Sequence, residues 1–150
     1  MIDASRLLRE EDDAWARLGA TFERVPDARF EEPRLTPEGW SPKDAMFHVA
    51  AWMEDCAVQL GRIAAGSFDP AEETREAIER QNQAWFEASC SMSPDDVRAG
   101  FLDARGRMVD AFGHLDEVTP EAVEWFEESG PLHYDQHIKG LLGFLEKSAG

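Results

Sequence analysis

Basic residues, cysteines and long apolar runs are all scarce in this 150-residue chain. Its 15 lysines and arginines stand against 31 acidic residues, and the resulting net charge of -16 disfavours nucleic acids and anionic membranes as partners. The two cysteines, Cys56 and Cys90, are too few for a disulfide scaffold and lack metal-type spacing, so we expect reduced, buried thiols. No apolar run approaches the roughly 20 residues that a bilayer-spanning helix needs. The first ten residues also lack the pattern of a signal peptide, so we expect a cytoplasmic protein.

The chain has the length of one domain, and we predict a single domain over residues 1–150. Sustained period-two alternation and hairpin dipeptides are missing, which favours an all-α protein. Polar residues followed by proline predict helix starts at four places, because the first residue caps the helix and the second occupies its first turn. These pairs are Ser41-Pro42, Asp69-Pro70, Ser93-Pro94 and Thr119-Pro120.

Apolar residues recur at helical intervals after these starts, and also before a proline-rich loop at 26–40. The helices predicted from this pattern cover residues 3–25, 42–65, 70–90, 95–115, 120–128 and 131–147. The third and fourth are expected either as two helices or as one kinked segment. The simplest packing is a four-helix bundle with a short extra helix before the last long helix.

Three of the four histidines fall on apolar helical faces. His133 and His137 are four residues apart at the start of the last helix, so both rings leave one face about one turn apart. His48 borders the apolar stripe of the second helix. Three imidazoles suit zinc or nickel with a coordination position left open, although each ring could instead be a structural histidine bonded to a nearby carbonyl or carboxylate. His114, near a helix C-terminus, is excluded as a ligand.

Neighbouring residues allow weaker predictions. Tyr134 either lines the pocket or packs with its hydroxyl at an edge, and Trp52, one turn after His48, is a candidate wall of the metal cavity. Asp135 points off the histidine face and is expected in solvent. Cys56 lies about 12 Å along the helix from His48, too far to share a metal ion, and is expected in the core.

Residues 39–52, GWSPKDAMFHVAAW, resemble the second-helix signature of the DinB-like superfamily, and the late His-x-x-x-His is similar as well. That superfamily includes DinB proteins, bacillithiol transferases and the metal-binding domain of mycothiol-dependent maleylpyruvate isomerases. The resemblance implies a four-helix bundle with one divalent metal, nickel or zinc. Its ligand positions fall on His48, His133 and His137.

Two functions of different class follow as expectations. The first is a divalent-metal-dependent enzyme that acts on a reactive small-molecule substrate, as a thiol S-transferase or a related isomerase or hydrolase. It would use the metal and a low-molecular-weight thiol. The second is a noncatalytic dimeric bundle, a binding or stress-related protein with a structural or vacant metal site. In either case we expect a homodimer that binds neither nucleic acid nor membrane.

Overall fold

A computed structural model describes residues 2–147 of the chain. Over this range the protein is all-helical, as predicted, with no strand among the described residues. No helix in this range is both long enough and apolar enough to cross a bilayer. The α-helices are α1 (Ala4–Glu23), α2 (Pro42–Ala65), α3 (Arg75–Cys90), α4 (Pro94–Gly113), α5 (Pro120–Ser129) and α6 (Pro131–Glu146), with short 3-10 helices at Asp27–Arg29 and Pro70–Glu72.

Three of the four predicted helix starts are confirmed. The side chains of Ser41, Ser93 and Thr119 each accept a hydrogen bond from a backbone N–H three residues later, and a proline follows each cap. The prediction at Asp69 is wrong, because its carboxylate accepts from the N–H of Ala71 and starts a 3-10 turn of three residues. Thr74 caps α3 instead, and α3 and α4 are two separate helices.

Five of the six helices supply one continuous apolar core. Helix α2 packs against α3, α4 and α5, while α1 packs mainly against α6. The rings of Phe112 and Phe126 stack at 4.0 Å where α4 meets α5. Among the described residues, α3 contributes a single buried residue, Ser89. Helix α3 therefore lies on the outside of α2 and adds little to the core.

The first turn of α2 is held by a buried polar cluster. The Asp44 carboxylate accepts from the Ser41 N–H at 2.8 Å and from the hydroxyl of Ser89, at the end of α3. The Lys43 ammonium donates to the Met92 carbonyl at 2.8 Å and to Glu31 at 3.0 Å. These bonds fix the start of α2, and the turn that follows carries His48.

The two thiols differ in environment. Cys56 is buried, as predicted, but Cys90 is exposed at the end of α3, so the prediction of two buried thiols is wrong. The reason is that α3 buries so little of its surface. Among residues 2–147, five large apolar side chains are exposed, and they come from separate parts of the chain: Ile2, Val58, Leu102, Leu132 and Leu142. The homodimer stays a prediction.

Candidate metal centre

The three histidines singled out in the sequence lie together. The Nε2 atom of His133 is 3.2 Å from Nε2 of His48 and 3.0 Å from Nε2 of His137. One ligand atom from each ring lies within 4.8 Å of the other two. His133 and His137 come from the first two turns of α6, and His48 comes from α2. The packing of α6 near α2 therefore joins parts of the chain that are 85 residues apart.

These separations suit ligation of one ion. Two nitrogens that each lie about 2.0–2.1 Å from a zinc ion are roughly 2.9 Å apart at a right angle and about 3.4 Å apart at a tetrahedral angle. The separations of 3.0 Å and 3.2 Å fall within that interval. Both contacts of the His133 nitrogen are therefore compatible with a cation shared between neighbouring rings, and the third ligand atom lies within 4.8 Å.

A purely hydrogen-bonded arrangement explains the geometry less well. A neutral imidazole nitrogen carries either one N–H or one lone pair. Nε2 of His133 lies at hydrogen-bond distance from two other Nε2 atoms, so it can make one good hydrogen bond and leaves the other contact unsatisfied. Three lone pairs that share a cation would satisfy all three nitrogens at once.

All three rings are uncharged at neutral pH. Burial lowers the pKa of His48 to about 3 and that of His133 to about 2, and the neighbouring histidines lower both pKa values further. Burial also lowers the pKa of His137 to about 4. The physical cause is that an imidazolium ion loses its hydration when the ring is buried. The lone pairs are therefore available to a metal without competition from protons.

In two of the three rings, the nitrogen that faces away from the cluster has no hydrogen-bond partner among the described residues. These nitrogens are Nδ1 of His48 and Nδ1 of His133, and both are buried. In most metal centres this N–H donates to a carboxylate or a carbonyl, which orients the ring. Here aromatic packing holds His48 instead, because the Trp40 ring meets the His48 ring edge-on at 5.1 Å and stacks on Phe86 at 5.4 Å.

Cavities approach the histidines from two directions. His133 lines a cavity of about 500 Å³, and His48 and His137 line another of about 950 Å³. Trp52 lines the smaller cavity together with His133, as its position one turn after His48 suggested. Its indole N–H donates to the side chain of Asn82 at 2.9 Å, and Asn82 lines the larger cavity. This bond ties α3 to α2 beside the site.

Tyr134 packs in the core, as one of the two alternatives stated, but its hydroxyl is buried rather than at an edge, and Tyr134 lines neither cavity beside the histidines. Its side chain is fully buried, and its hydroxyl donates to the Glu11 carboxylate at 2.8 Å. Glu11 is itself fully buried in α1 and accepts two bonds from Arg105 of α4. The sequence analysis did not predict this network among α1, α4 and α6. The feature that could have indicated it is the position of Glu11 within the apolar stripe of α1, between Leu7 and Leu18.

The remaining candidates take no part in the cluster. Asp135 is exposed and pairs with Arg17 at 3.4 Å, and Nδ1 of His114 lies 2.7 Å from the Asp110 carbonyl oxygen. Burial raises the pKa of Cys56 to about 12, and its sulfur lies 3.5 Å from the carbonyl oxygen of Trp125. Cys56 is therefore a core residue and a poor nucleophile.

Comparisons of the chain with protein-family models, with curated proteins and with solved structures found no match.

Proposed function

We propose that the protein binds one divalent cation, nickel or zinc, through His48, His133 and His137. The observation that carries this proposal is the pair of Nε2 separations, 3.0 Å and 3.2 Å, around His133. The low pKa values of the rings support it, because neutral imidazole is the ligand form. Three neutral nitrogen donors are a donor set typical of these two metals.

We further propose a DinB-like four-helix bundle. Most of the core side chains come from α1, α2, α4 and α6, and the short α5 precedes α6. The sequence of residues 39–52 supports the same assignment, since Trp40 and the capping Ser41 precede a helix that bears His48, which is the pattern behind the resemblance. In this assignment α3 is the peripheral helix.

The activity that we propose is metal-dependent chemistry on small molecules, either thiol S-transfer or a related isomerisation or hydrolysis. A bound zinc or nickel ion with an open position favours the deprotonated form of a thiol or of water. The two cavities support a small-molecule substrate, because their volumes fall within the range of typical ligand sites. The low pKa values of the rings keep their nitrogens in the neutral, metal-binding state.

Metal analysis tests the first proposal. Protein expressed without a histidine tag and purified without chelator should contain close to one equivalent of nickel or zinc by mass spectrometry. His137→Ala and His48→Ala should each lose most of it. His114→Ala is the matched control, because it removes a histidine that lies outside the cluster, and its metal content should match the parent protein. Unchanged metal in His137→Ala, or none in the parent after loading, would refute the site.

A conjugation assay separates the enzyme from the noncatalytic alternative. Metal-loaded protein, mycothiol or glutathione, and the electrophile monochlorobimane should give conjugate faster than the chelated protein does. The His137→Ala variant should behave like chelated protein. Equal rates with and without metal would exclude metal-dependent thiol transfer and leave isomerisation, hydrolysis and the noncatalytic bundle as the alternatives.

A further inference from the structure

The cavity beside His133 has walls of an unusual composition. It lies among α2, α5, the start of α3 and the segment before α3. Three aromatic side chains line it, Trp52, Phe68 and Trp125, and so do four carboxylates, Glu73, Glu121, Glu124 and Glu128. No lysine or arginine is among the described residues that line it.

Three of its four carboxylates come from one helix. Glu121, Glu124 and Glu128 follow one another at steps of three and four, so they share one face of α5, and Glu73 lies in the wall formed by the segment before α3. Burial, together with Glu124, raises the pKa of Glu128. Burial, followed by Asp55 and Glu72, raises the pKa of Glu73, although Arg62 acts in the opposite direction. Glu124 and Glu128 therefore repel each other, and a cation bound beside them would relieve that repulsion.

A metal ion is a poor candidate for that cation. Among residues 2–147, the three histidines are the group whose ligand atoms converge closely enough to hold an ion, and the four glutamates form no such group. These carboxylates come from two walls of the cavity and do not converge within ligation distance. The aromatic walls would also add nothing to a hydrated inorganic ion.

An organic ammonium ion fits both features. Indole and phenyl faces attract a desolvated ammonium group, and separate carboxylates can surround a charge that is spread over several carbon–nitrogen bonds. The Trp125 ring meets the Phe68 ring edge-on at 6.0 Å, so two of the aromatic rings are already packed together in the wall. The volume of about 500 Å³ is sufficient for a ligand of metabolite size.

We propose that this cavity binds an organic ammonium group and that the substrate of the metal centre is a cationic amine. The ammonium group lies between Trp52, Trp125 and the α5 carboxylates, and the rest of the molecule extends toward His133. The assignment of the amine as a substrate rests on the proposed metal centre, whereas ammonium binding in the cavity does not. The same charges disfavour anionic substrates at this entrance.

Binding of simple probes tests the proposal. Benzyltrimethylammonium is titrated into the full-length protein, and binding is followed by calorimetry and by tryptophan fluorescence. Phenylacetate and benzyl alcohol serve as anionic and neutral counterparts. The ammonium should bind at least about tenfold more tightly than either, and its affinity should fall as salt is added. Equal binding of phenylacetate, or no binding of the ammonium, would overturn the proposal.

Charge-neutralising variants locate the site. Glu124→Gln combined with Glu128→Gln should weaken ammonium binding about tenfold, and Trp125→Leu should weaken it at least about threefold. The matched control combines Asp103→Asn with Glu117→Gln, two exposed residues outside the cavity whose replacement changes the net charge equally. Its affinity should stay within about twofold of the parent. If the control variant lost as much ammonium affinity, the net charge of the protein would explain the effect, and the proposal would be overturned.

Metal content measured on the same samples separates the two proposals. One equivalent of metal without ammonium binding would overturn this inference and leave the metal centre standing. Ammonium binding in protein that takes up no metal would refute the metal centre and, with it, the assignment of the ammonium compound as a substrate. Binding by both metal-free and metal-loaded protein, with loss in the Glu124→Gln, Glu128→Gln variant, is the expected result.

Discussion

Acidification should destabilise the metal-free protein because its three clustered histidines are buried in the neutral state. Their pKa values in the folded protein are about 3, about 2 and about 4, against an ordinary value of 6.5. The unfolded chain therefore binds more protons than the folded chain below pH 6.5. The contribution of the neutral histidines to the free energy of unfolding is therefore present in full well above pH 6.5, and it is lost as the pH falls toward the folded pKa values.

The size of the effect depends mainly on the unfolded state. At pH 5.5 the folded rings are still neutral, whereas an unfolded histidine with a pKa near 6.5 is about nine-tenths protonated, a difference of about 1.4 kcal/mol for each ring. Three rings together amount to about 4 kcal/mol between pH 7.5 and pH 5.5. A domain with a typical stability of 5–15 kcal/mol would lose a large part of it.

Urea unfolding of chelated protein at pH 7.5, 6.5 and 5.5 measures this loss through tryptophan fluorescence. His137→Gln removes one titrating ring and should reduce the pH dependence by about one third, whatever it does to stability at pH 7.5. Addition of zinc should raise the free energy of unfolding by a similar amount at all three pH values, because the folded rings stay neutral down to pH 5.5. A free energy of unfolding that is the same at pH 7.5 and pH 5.5 would refute buried neutral histidines in this cluster.

Two further predictions concern buried groups outside the cluster. Tyr134→Phe removes the hydroxyl that donates to the buried Glu11 carboxylate, so it should lower the free energy of unfolding by about 1.5–3 kcal/mol in urea titrations. A loss below about 0.5 kcal/mol would show that this bond contributes little. Titration of thiols at pH 8 should find one reactive cysteine per native chain, the exposed Cys90, and two after unfolding, because burial raises the pKa of Cys56. Two reactive thiols in the native protein would contradict the burial of Cys56.

Helix starts were predictable where the capping chemistry is local. At Ser41, Ser93 and Thr119 the cap, the following proline and the bonded N–H lie within four residues, so short-range geometry decides the outcome. The same reasoning gave a wrong helix start at Asp69. An aspartate carboxylate can also accept a hydrogen bond from the backbone N–H two residues later, which forms a turn instead of a helix cap. The sequence contains both patterns, and the packing of the segment that follows selects one of them.

Burial was less predictable than helicity. Cys56 and Cys90 both lie on predicted helices, but α2, which carries Cys56, is packed on several sides, whereas α3, which carries Cys90, packs mainly against α2. Tyr134 lies between two candidate ligands in sequence, but the helical rotation of α6 directs it toward Glu11 and Arg105. Helical periodicity predicts which residues share a face of a helix. It does not predict which neighbouring helix packs against that face.

The sequence by itself determined the all-helical class, most helix boundaries and the three candidate metal ligands, because capping, apolar periodicity and side-chain chemistry act over a few residues. The tertiary structure alone decided that the nitrogens of His48 and His133 lie 3.2 Å apart, and that a carboxylate-lined aromatic cavity opens beside them. Both depend on how α2, α5 and α6 pack. That packing is set by the whole core at once, and no local segment encodes it.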